Sequence, residues 1–398
     1  MITGAGIITA LGCGWSVNAE GLRAGRPAFR PVTLFDVSRQ RSKLAAEVDL
    51  PAQLPATLLS PKSVSRLDRA TRMLLHAAHE ACSQAGWTPA ESLPLVLGTT
   101  SGGMALGEAY LRHAIRTPAT QRGQPTRLAG YQAQCQAMAV GAAFGFTGPI
   151  LIVANACASG ANAIGHAWDL LRCGRVERVL AGGYDALCQL TFGGFDSLQV
   201  LSPNPCRPFD AKRDGLSLGE GAALLTLETL EHARRRGAEI LGELAGYAAL
   251  TDTHHLTQPH PEGEAAFAVM TSACASAGVT PGQVDYVNAH GTATPQNDAA
   301  EAAAINRWAG ARAATLPVSS TKASIGHLLG GAGAVEAVVT LMALRGGWLP
   351  PEGTLQSPDP ACQFRLVNQP TEARVNVALS NSFGFGGANA ALVLRRWA

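Results

Sequence analysis

The chain has 398 residues, of which 47% are hydrophobic and 15% are charged, and its formal net charge is +2. This composition predicts a globular protein with a large core and room for two or three domains' worth of structure, and the small net charge excludes a general electrostatic attraction to nucleic acid. Nine cysteines without pairs or regular spacing indicate reduced thiols and argue against a disulfide framework or a Cys/His zinc site.

The sequence predicts neither a membrane span nor a targeting segment. No apolar run approaches the roughly 18 residues that cross a bilayer, and the N-terminal stretch lacks a basic start because its first basic residue is Arg23. We therefore expect a cytoplasmic protein with no membrane contact.

The first third of the chain predicts strands and helices without a nucleotide site. A strand followed by Gly-x-Gly opens the chain, but Thr9 occupies the third glycine position of a dinucleotide fingerprint, which disfavours that fold. The apolar spacing predicts a helix from Arg66 to Ala85, with Arg66 and Arg69 on or near its exposed side. Residues 104–145 mix Gly, Gln and Ala as an irregular insertion does, and such insertions often carry interfaces.

The chain is organised around Cys157. An apolar run from Ile150 to Val153 predicts a buried strand and the residues after Cys157 predict a helix, so the cysteine lies at a strand-to-helix junction. Backbone N–H groups at a helix N-terminus stabilise a thiolate, so we expect a lowered thiol pKa and a nucleophile open to an acyl substrate. Taken alone, the residue would instead be a packed core cysteine.

The rest of the chain alternates strands and helices. Strands are predicted at 179–185, 224–228, 284–288, 316–319, 374–380 and 389–395, and helices at 228–236, 263–278, 298–309 and 331–346. This alternation predicts an α/β fold whose parallel sheets are covered by helices on both faces. Because both halves show it, a duplicated α/β unit is suggested.

Two histidines lie among small residues in the C-terminal half. His290 occurs in Asn-Ala-His-Gly-Thr-Ala-Thr, and His327 occurs in Lys-Ala-Ser-Ile-Gly-His-Leu-Leu-Gly. Together with Cys157, Lys322 and the glycine-rich segment 381–389, they resemble the β-ketoacyl-[acyl carrier protein] synthases of the thiolase superfamily, specifically the elongating Cys/His/His class. The motifs follow that family's order and spacing over essentially the whole chain.

The resemblance implies a thiolase-like α/β fold with duplicated halves in a layered α-β-α-β-α arrangement. Residues 1–244 would form the half that carries the nucleophilic cysteine, and residues 245–398 the half that carries both histidines. It also implies a decarboxylative Claisen condensation. Cys157 would take an acyl group from acyl carrier protein, and malonyl carrier would lose carbon dioxide and attack that thioester, giving a 3-oxoacyl chain two carbons longer.

The same resemblance implies roles for individual residues. His290 and His327 would donate hydrogen bonds to the enolate, while the backbone N–H groups of Cys157 and Phe385 would hold the acyl oxyanion. Lys322 would support them electrostatically. The other matching positions are Glu336 as the acid near Lys322, Asp298 and Glu301 as carboxylates behind the histidines, Thr292 and Thr294 at the pantetheine arm, Ser101 and Phe195 in the acyl pocket with Phe385 as its gate, and Lys62 and Arg66 in carrier docking.

The implied partners follow from this chemistry. No metal and no bound cofactor are expected, because the substrates arrive on the 4'-phosphopantetheine of acyl carrier protein. The enzyme would form a homodimer, or a heterodimer with a ketosynthase-like paralogue, and would not bind nucleic acid.

Other members of the superfamily are separated by single positions. Degradative thiolases have a second cysteine where this chain has Phe385, and starter-unit synthases have Asn in place of the second histidine. A non-catalytic chain-length factor usually lacks the nucleophile, which is present here as Cys157. A specialised ketosynthase of a polyene or polyketide pathway stays open beside fatty-acid elongation, because Asn297 stands where the family usually has Gly.

Overall fold

The computed structural model describes residues 1–87, 92–117 and 128–397. Its strands are β1 (Ile2–Thr9), β2 (Gly12–Cys13), β3 (Arg30–Pro31), β4 (Leu44–Ala45), β5 (Leu95–Gly98), β6 (Ile150–Val153), β7 (Arg178–Asp185), β8 (Gly221–Glu228), β9 (Glu243–Thr251), β10 (Tyr286–Asn288), β11 (Pro317–Ser319), β12 (Trp348–Leu349), β13 (Arg365–Leu366), β14 (Thr371–Glu372), β15 (Val377–Phe383) and β16 (Ala388–Arg395). Its helices are α1 (Trp15–Arg23), α2 (Pro61–Val64), α3 (Arg69–Gln84), α4 (Met104–Arg116), α5 (Gln134–Phe144), α6 (Ser159–Arg172), α7 (Gln189–Ser197), α8 (Leu230–Arg235), α9 (Glu264–Ser276), α10 (Pro295–Ala309), α11 (Lys322–Ile325) and α12 (Ala332–Gly346).

Two six-stranded sheets repeat one topology. The first has the order β2-β1-β8-β7-β5-β6 and the second the order β13-β11-β10-β15-β16-β9. In each sheet the first long strand pairs antiparallel with the last, which pairs antiparallel with the strand before it. Two further strands then add in parallel, while the short β2 and β13 at the sheet edges have no counterpart. Thus β1, β5, β6, β7 and β8 correspond to β9, β10, β11, β15 and β16, and the suggested duplication is present in the fold.

Helices cover both sheets and separate them. Helix α6 packs on β5 and β7 of the first sheet and on β9 and β16 of the second, and α12 likewise contacts β7, β8, β15 and β16. Helix α3 covers the outer face of the first sheet, and α9 covers that of the second. The result is the predicted α-β-α-β-α layering. Because helices lie on both faces, strands such as β7 and β8 are apolar runs with almost every residue buried.

The prediction that no segment is long and apolar enough to span a membrane is wrong for the central helix α12. The 18 residues from Leu329 to Gly346 are long and apolar enough to cross a membrane, although the sequence was expected to contain no such run. In the fold, 89% of this segment is buried between the sheets. A helix that is apolar on all sides is what a fully covered core position requires.

Three local expectations in the first half are wrong. The helix predicted from Arg66 begins at Arg69, because the Asp68 side chain accepts the Thr71 N–H at 2.8 Å and caps it. Arg69 turns inward and pairs with the buried Glu220. Strand β6 was predicted to be buried, but it is partly exposed. It lies at the edge of the sheet, where only one of its sides pairs, with β5.

The predicted irregular insertion is also wrong where the structure describes it. Helices α4 and α5 occupy most of residues 104–145, and residues 118–127 of that range lie outside the described part of the chain. The abundance of Ala and Gln in this range is compatible with helices, since both are good helix formers.

Candidate active site

The predicted nucleophile lies on a tight turn between β6 and α6. Residues Ala156–Ala158 form a 3-10 turn, and Ala156 has a φ of 58°, a left-handed conformation that a non-glycine residue adopts at a cost. The Ser159 hydroxyl donates to the Ala156 carbonyl and accepts the Asn155 N–H at 2.9 Å. These hydrogen bonds hold Cys157 at the end of the sheet with 6% of its surface exposed.

The expectation of a lowered thiol pKa is wrong for the unliganded protein. Burial raises the pKa of Cys157 to about 12, although the Lys322 cation and a hydrogen bond from the Phe385 backbone N–H act in the opposite direction. The loss of hydration outweighs these two contributions because the sulfur is almost fully enclosed. The thiol is therefore protonated at rest and must give up its proton as it attacks a substrate.

Two buried histidines face each other at right angles beside this cysteine. His290 follows β10 and His327 follows α11, and their ring centroids are 5.4 Å apart with the planes at 87°. The Leu329 N–H donates to His327 Nδ1 at 3.2 Å. The Lys322 ammonium lies 3.4 Å from His290 Nδ1 and donates to the His290 carbonyl at 2.6 Å.

These contacts determine the protonation of both rings. A ring nitrogen that accepts a hydrogen bond carries no proton, so each neutral ring bears its proton on Nε2. Burial, followed by repulsion from the Lys322 cation, holds the pKa of His290 and of His327 well below the ordinary value. Both histidines are thus neutral Nε2–H donors.

Lys322 and Glu336 form a buried ion pair behind the histidines. The Lys322 ammonium, on a residue only 1% exposed, donates to Glu336 Oε1. Burial raises the pKa of Glu336, and Lys322 partly offsets this shift. Lys322 thus holds a buried positive charge beside His290, and Glu336 balances that charge on its other side.

The two other predicted carboxylates support backbone. Glu301 accepts the N–H groups of His290 and Gly291, both at 2.8 Å, and so orients the loop that carries His290. Asp298 accepts the N–H groups of Phe209 at 2.7 Å and of Ala293 at 3.1 Å. Burial raises the pKa of both carboxyls, that of Glu301 to about 7.

One cavity brings half of the predicted residues together. Its lining includes Cys157, Phe195, His290, Thr292, Thr294, His327 and Phe385, together with Asn297. The Thr292 and Thr294 hydroxyl oxygens are 2.9 Å apart. The Phe195 and Phe385 rings stack in this lining with 5.9 Å between centroids.

Besides Lys322 and the three carboxylates described above, three predicted residues lie outside this lining. Ser101 is 5% exposed, and its hydroxyl lies 3.3 Å from the Thr191 hydroxyl, outside the residues that form the cavity wall. Lys62 is on the short helix α2, and Arg66 follows that helix; both are exposed. Within the described ranges, neither cation makes an ion pair.

Some residues of the site were not predicted from the sequence. Asp252 and the neighbouring segment from His255 to Pro259 line the cavity mouth, where the Leu256 carbonyl accepts the Gly386 N–H at 2.7 Å. Asp185 binds the loops around the site. The segment carries no periodic pattern, and a lone buried aspartate at a strand end gives no signal. Among the described residues, no cluster of three or more His, Cys, Asp or Glu side chains could hold a metal ion.

The sequence matches a known protein family over most of its length. Residues 1–233 match the beta-ketoacyl synthase N-terminal domain, and residues 241–356 match the beta-ketoacyl synthase C-terminal domain. The chain belongs to the β-ketoacyl synthase family. This ketosynthase is an acyl-transferring condensing enzyme, so the predicted family and activity are confirmed.

Individual relatives match along the full length of the ketosynthase. It is 38% identical to 3-oxoacyl-[acyl-carrier-protein] synthase 2 of Rhizobium meliloti (strain 1021), over 100% of this chain and 98% of the relative. It is 37% identical to the tetracenomycin polyketide synthase ketoacyl synthase alpha subunit of Streptomyces glaucescens, over 100% and 96%. The solved ishigamide ketosynthase/chain length factor superposes with a TM-score of 0.93 at 32% identity, over 100% and 98%. The predicted thiolase-like fold and elongating class are confirmed by these likenesses.

Proposed function

We propose that this ketosynthase condenses an acyl group held on Cys157 with malonyl-[acyl carrier protein], releasing a 3-oxoacyl carrier two carbons longer. The observation that carries the proposal is the pair of neutral histidines, both with Nε2–H, that line one cavity with a buried cysteine. This arrangement combines a nucleophile for acyl transfer with two donors for a developing enolate.

In the acyl transfer step, the sulfur attacks the thioester carbonyl of the incoming acyl carrier. The thiol proton leaves as the carbon–sulfur bond forms, and it ends on the departing phosphopantetheine thiolate. The Phe385 N–H already contacts the sulfur, and together with the Cys157 N–H it would bind the oxyanion. Rotation of the stacked Phe385 ring would admit the chain.

In the condensation step, the first carrier has left and malonyl carrier enters the cavity beside the acylated Cys157. Its carboxylate leaves as carbon dioxide, and the electron pair becomes an enolate whose oxygen accepts from His290 Nε2 and His327 Nε2. The enolate carbon attacks the Cys157 thioester, a carbon–carbon bond forms, and the carbon–sulfur bond breaks. The released thiolate recovers a proton from water.

The substrates reach the cavity on a carrier arm. The Thr292 and Thr294 hydroxyls line the cavity and are suited to the amides of pantetheine. The exposed Lys62 and Arg66 supply positive charge for an acidic carrier. As part of the same proposal, no resident cofactor or metal takes part, and the enzyme acts in the cytoplasm, where its nine free cysteines remain reduced.

An apolar face supports a dimer. Leu151 on the edge strand β6 is 41% exposed, and helices α4 and α5 expose Leu111, Ile115 and Met138. An edge strand with exposed leucine is a template for pairing with another chain. The partner is a second copy or a ketosynthase-like paralogue.

The acyl chain belongs either to fatty-acid elongation or to a polyene or polyketide pathway. The second candidate is favoured by Asn297 in the cavity wall and by the fold likeness to a ketosynthase/chain length factor pair. The 38% identity to a 3-oxoacyl-[acyl-carrier-protein] synthase supports the first.

Reconstitution tests the proposal. Purified protein is mixed with acyl carriers of graded length and saturation and with malonyl carrier, and products are identified by intact-protein mass spectrometry. We expect acylated Cys157 and a carrier-bound 3-oxoacyl product. Cys157→Ala should form neither, whereas Cys274→Ala, which alters another buried cysteine, should form both. Failure of the wild type with every carrier, alone or with a co-expressed paralogue, would refute the proposed function.

A further inference from the structure

Asp185 is a fully buried carboxylate at the end of β7 with no part in the steps above. Its oxygens accept four hydrogen bonds, from Thr99 Oγ1 at 2.7 Å and from the backbone N–H groups of Thr100 at 2.9 Å, Ser101 at 2.7 Å and Gly330 at 2.7 Å. Burial raises the pKa of Asp185 to about 6, and these donors act in the opposite direction. One side chain therefore joins the loop after β5 to the turn after His327.

The two joined segments touch with no space between them. A Cβ at Gly330 would lie 2.4 Å from the Thr100 nitrogen, so only glycine fits where the turn meets the loop. The contact places the Gly330 N–H on the Asp185 carboxylate and limits how the turn can move.

In this turn, Leu329 precedes Gly330, whose N–H binds Asp185, and the backbone of Leu329 is strained. Leu329 has a φ of 51°, which is unfavourable for leucine. In this conformation its N–H donates to Nδ1 of His327, two residues earlier, at 3.2 Å. If the strain were released, that N–H would rotate away from the ring.

We propose that Asp185 is a positioning residue for His327. By holding the Gly330 N–H, it keeps Leu329 in the left-handed conformation, which keeps the Leu329 N–H on Nδ1 and the ring proton on Nε2. The inference rests on the proposed function, in which that proton stabilises the enolate. An amide at position 185 would present a donor to surrounding donors, so at least one of the four hydrogen bonds would be lost.

The tautomer of His327 is the direct test. Histidine-selective ¹⁵N labelling resolves the ten imidazoles, and His327→Gln assigns the signal of interest. We expect the Nε2–H tautomer in the wild type and a mixture with the Nδ1–H tautomer in Asp185→Asn. A wild-type ring protonated on Nδ1, or an unchanged spectrum in Asp185→Asn, would overturn the proposal. Even if the variant does not fold, the wild-type measurement can still overturn the proposal.

Kinetics separates positioning from general destabilisation. In Asp185→Asn we expect the kcat for malonyl carrier decarboxylation to fall about ten- to a hundredfold, less than on deleting a donor outright. Acylation of Cys157 should stay within about twofold, and the KM for malonyl carrier should not change. Glu228→Gln is the matched control, because Glu228 is equally buried but lies at the opposite end of the β7–β8 pair.

The outcomes separate the two proposals. Equal losses in Asp185→Asn and Glu228→Gln, or equal losses of acylation and decarboxylation, would make Asp185 merely structural. A wild type that does not decarboxylate malonyl carrier refutes the proposed function instead, and the comparison of the His327 tautomer in wild type and Asp185→Asn then still tests the role of Asp185.

Discussion

Deleting His327 gives the sharpest measure of the two-histidine arrangement. His290 and His327 line one cavity with 5.4 Å between ring centroids, and we expect both Nε2–H groups to bind one enolate oxygen. Removing one donor from such a buried site costs about a hundred- to a thousandfold in rate, or about 3–4 kcal/mol. We expect His327→Ala to lose decarboxylation by that factor, measured as carbon dioxide released from malonyl carrier without an acyl partner.

The same experiment contains its own controls. Acylation of Cys157, followed by intact mass, should survive in His327→Ala because the thioester step uses backbone N–H groups. His76→Ala, which changes a half-buried histidine outside the cavity, should leave both steps intact. Because the two donors share one oxygen, the double variant with His290→Ala should lose less than the product of the single losses. Decarboxylation by His327→Ala within about twofold of wild type would refute the reasoning.

Three further expectations concern docking, the acyl pocket and stability. Lys62→Glu with Arg66→Glu should raise the KM for an acidic carrier with little change in kcat, and high salt should reduce the defect; a change in kcat alone would contradict it. Ser101 lies outside the cavity wall, so if an acyl chain extends beyond that wall to this residue, Ser101→Phe should exclude three or four methylenes and cost long chains about 2–3 kcal/mol relative to short ones. Acylation measured across chain lengths must then not fall uniformly. Although burial opposes it, charged and neutral donors bring the pKa of Glu228 down to about 2. A folded pKa below the ordinary value contributes stability above about pH 4.5 that is lost as pH falls toward 2, here about 3 kcal/mol. Glu228→Gln should therefore lower the urea midpoint at pH 7 and much less at pH 3, whereas Glu372→Gln, at an exposed ion pair, should change neither.

The nucleophile and the two histidines could be located from the sequence alone. Cys157 could be placed because an apolar strand and a helical pattern flank it closely, and both signals are local. His290 and His327 stood out because small residues surround them. The structure brings all three to one cavity.

What could not be predicted depends on distant neighbours. Arg69 has the spacing of an exposed residue, but it turns inward because Glu220, far along the chain, is buried beside it. The direction of the Cys157 pKa shift was predicted wrongly because burial, which depends on distant parts of the chain, outweighs the contributions that lower this pKa. Asp185 gave no signal, since its four donors come from segments 84 to 145 residues away.

The shared interior of the two halves bears on how this enzyme unfolds. A single hydrophobic cluster contains residues of β1, α6, α12 and β16, so the duplicated halves are not independent cores. Two sequence domains would ordinarily melt separately, but here each half alone would expose the apolar face of its central helix to water. We therefore expect the nucleophile and the histidines to lose their structure in one cooperative transition, so that a packing defect in either half inactivates the chemistry of both.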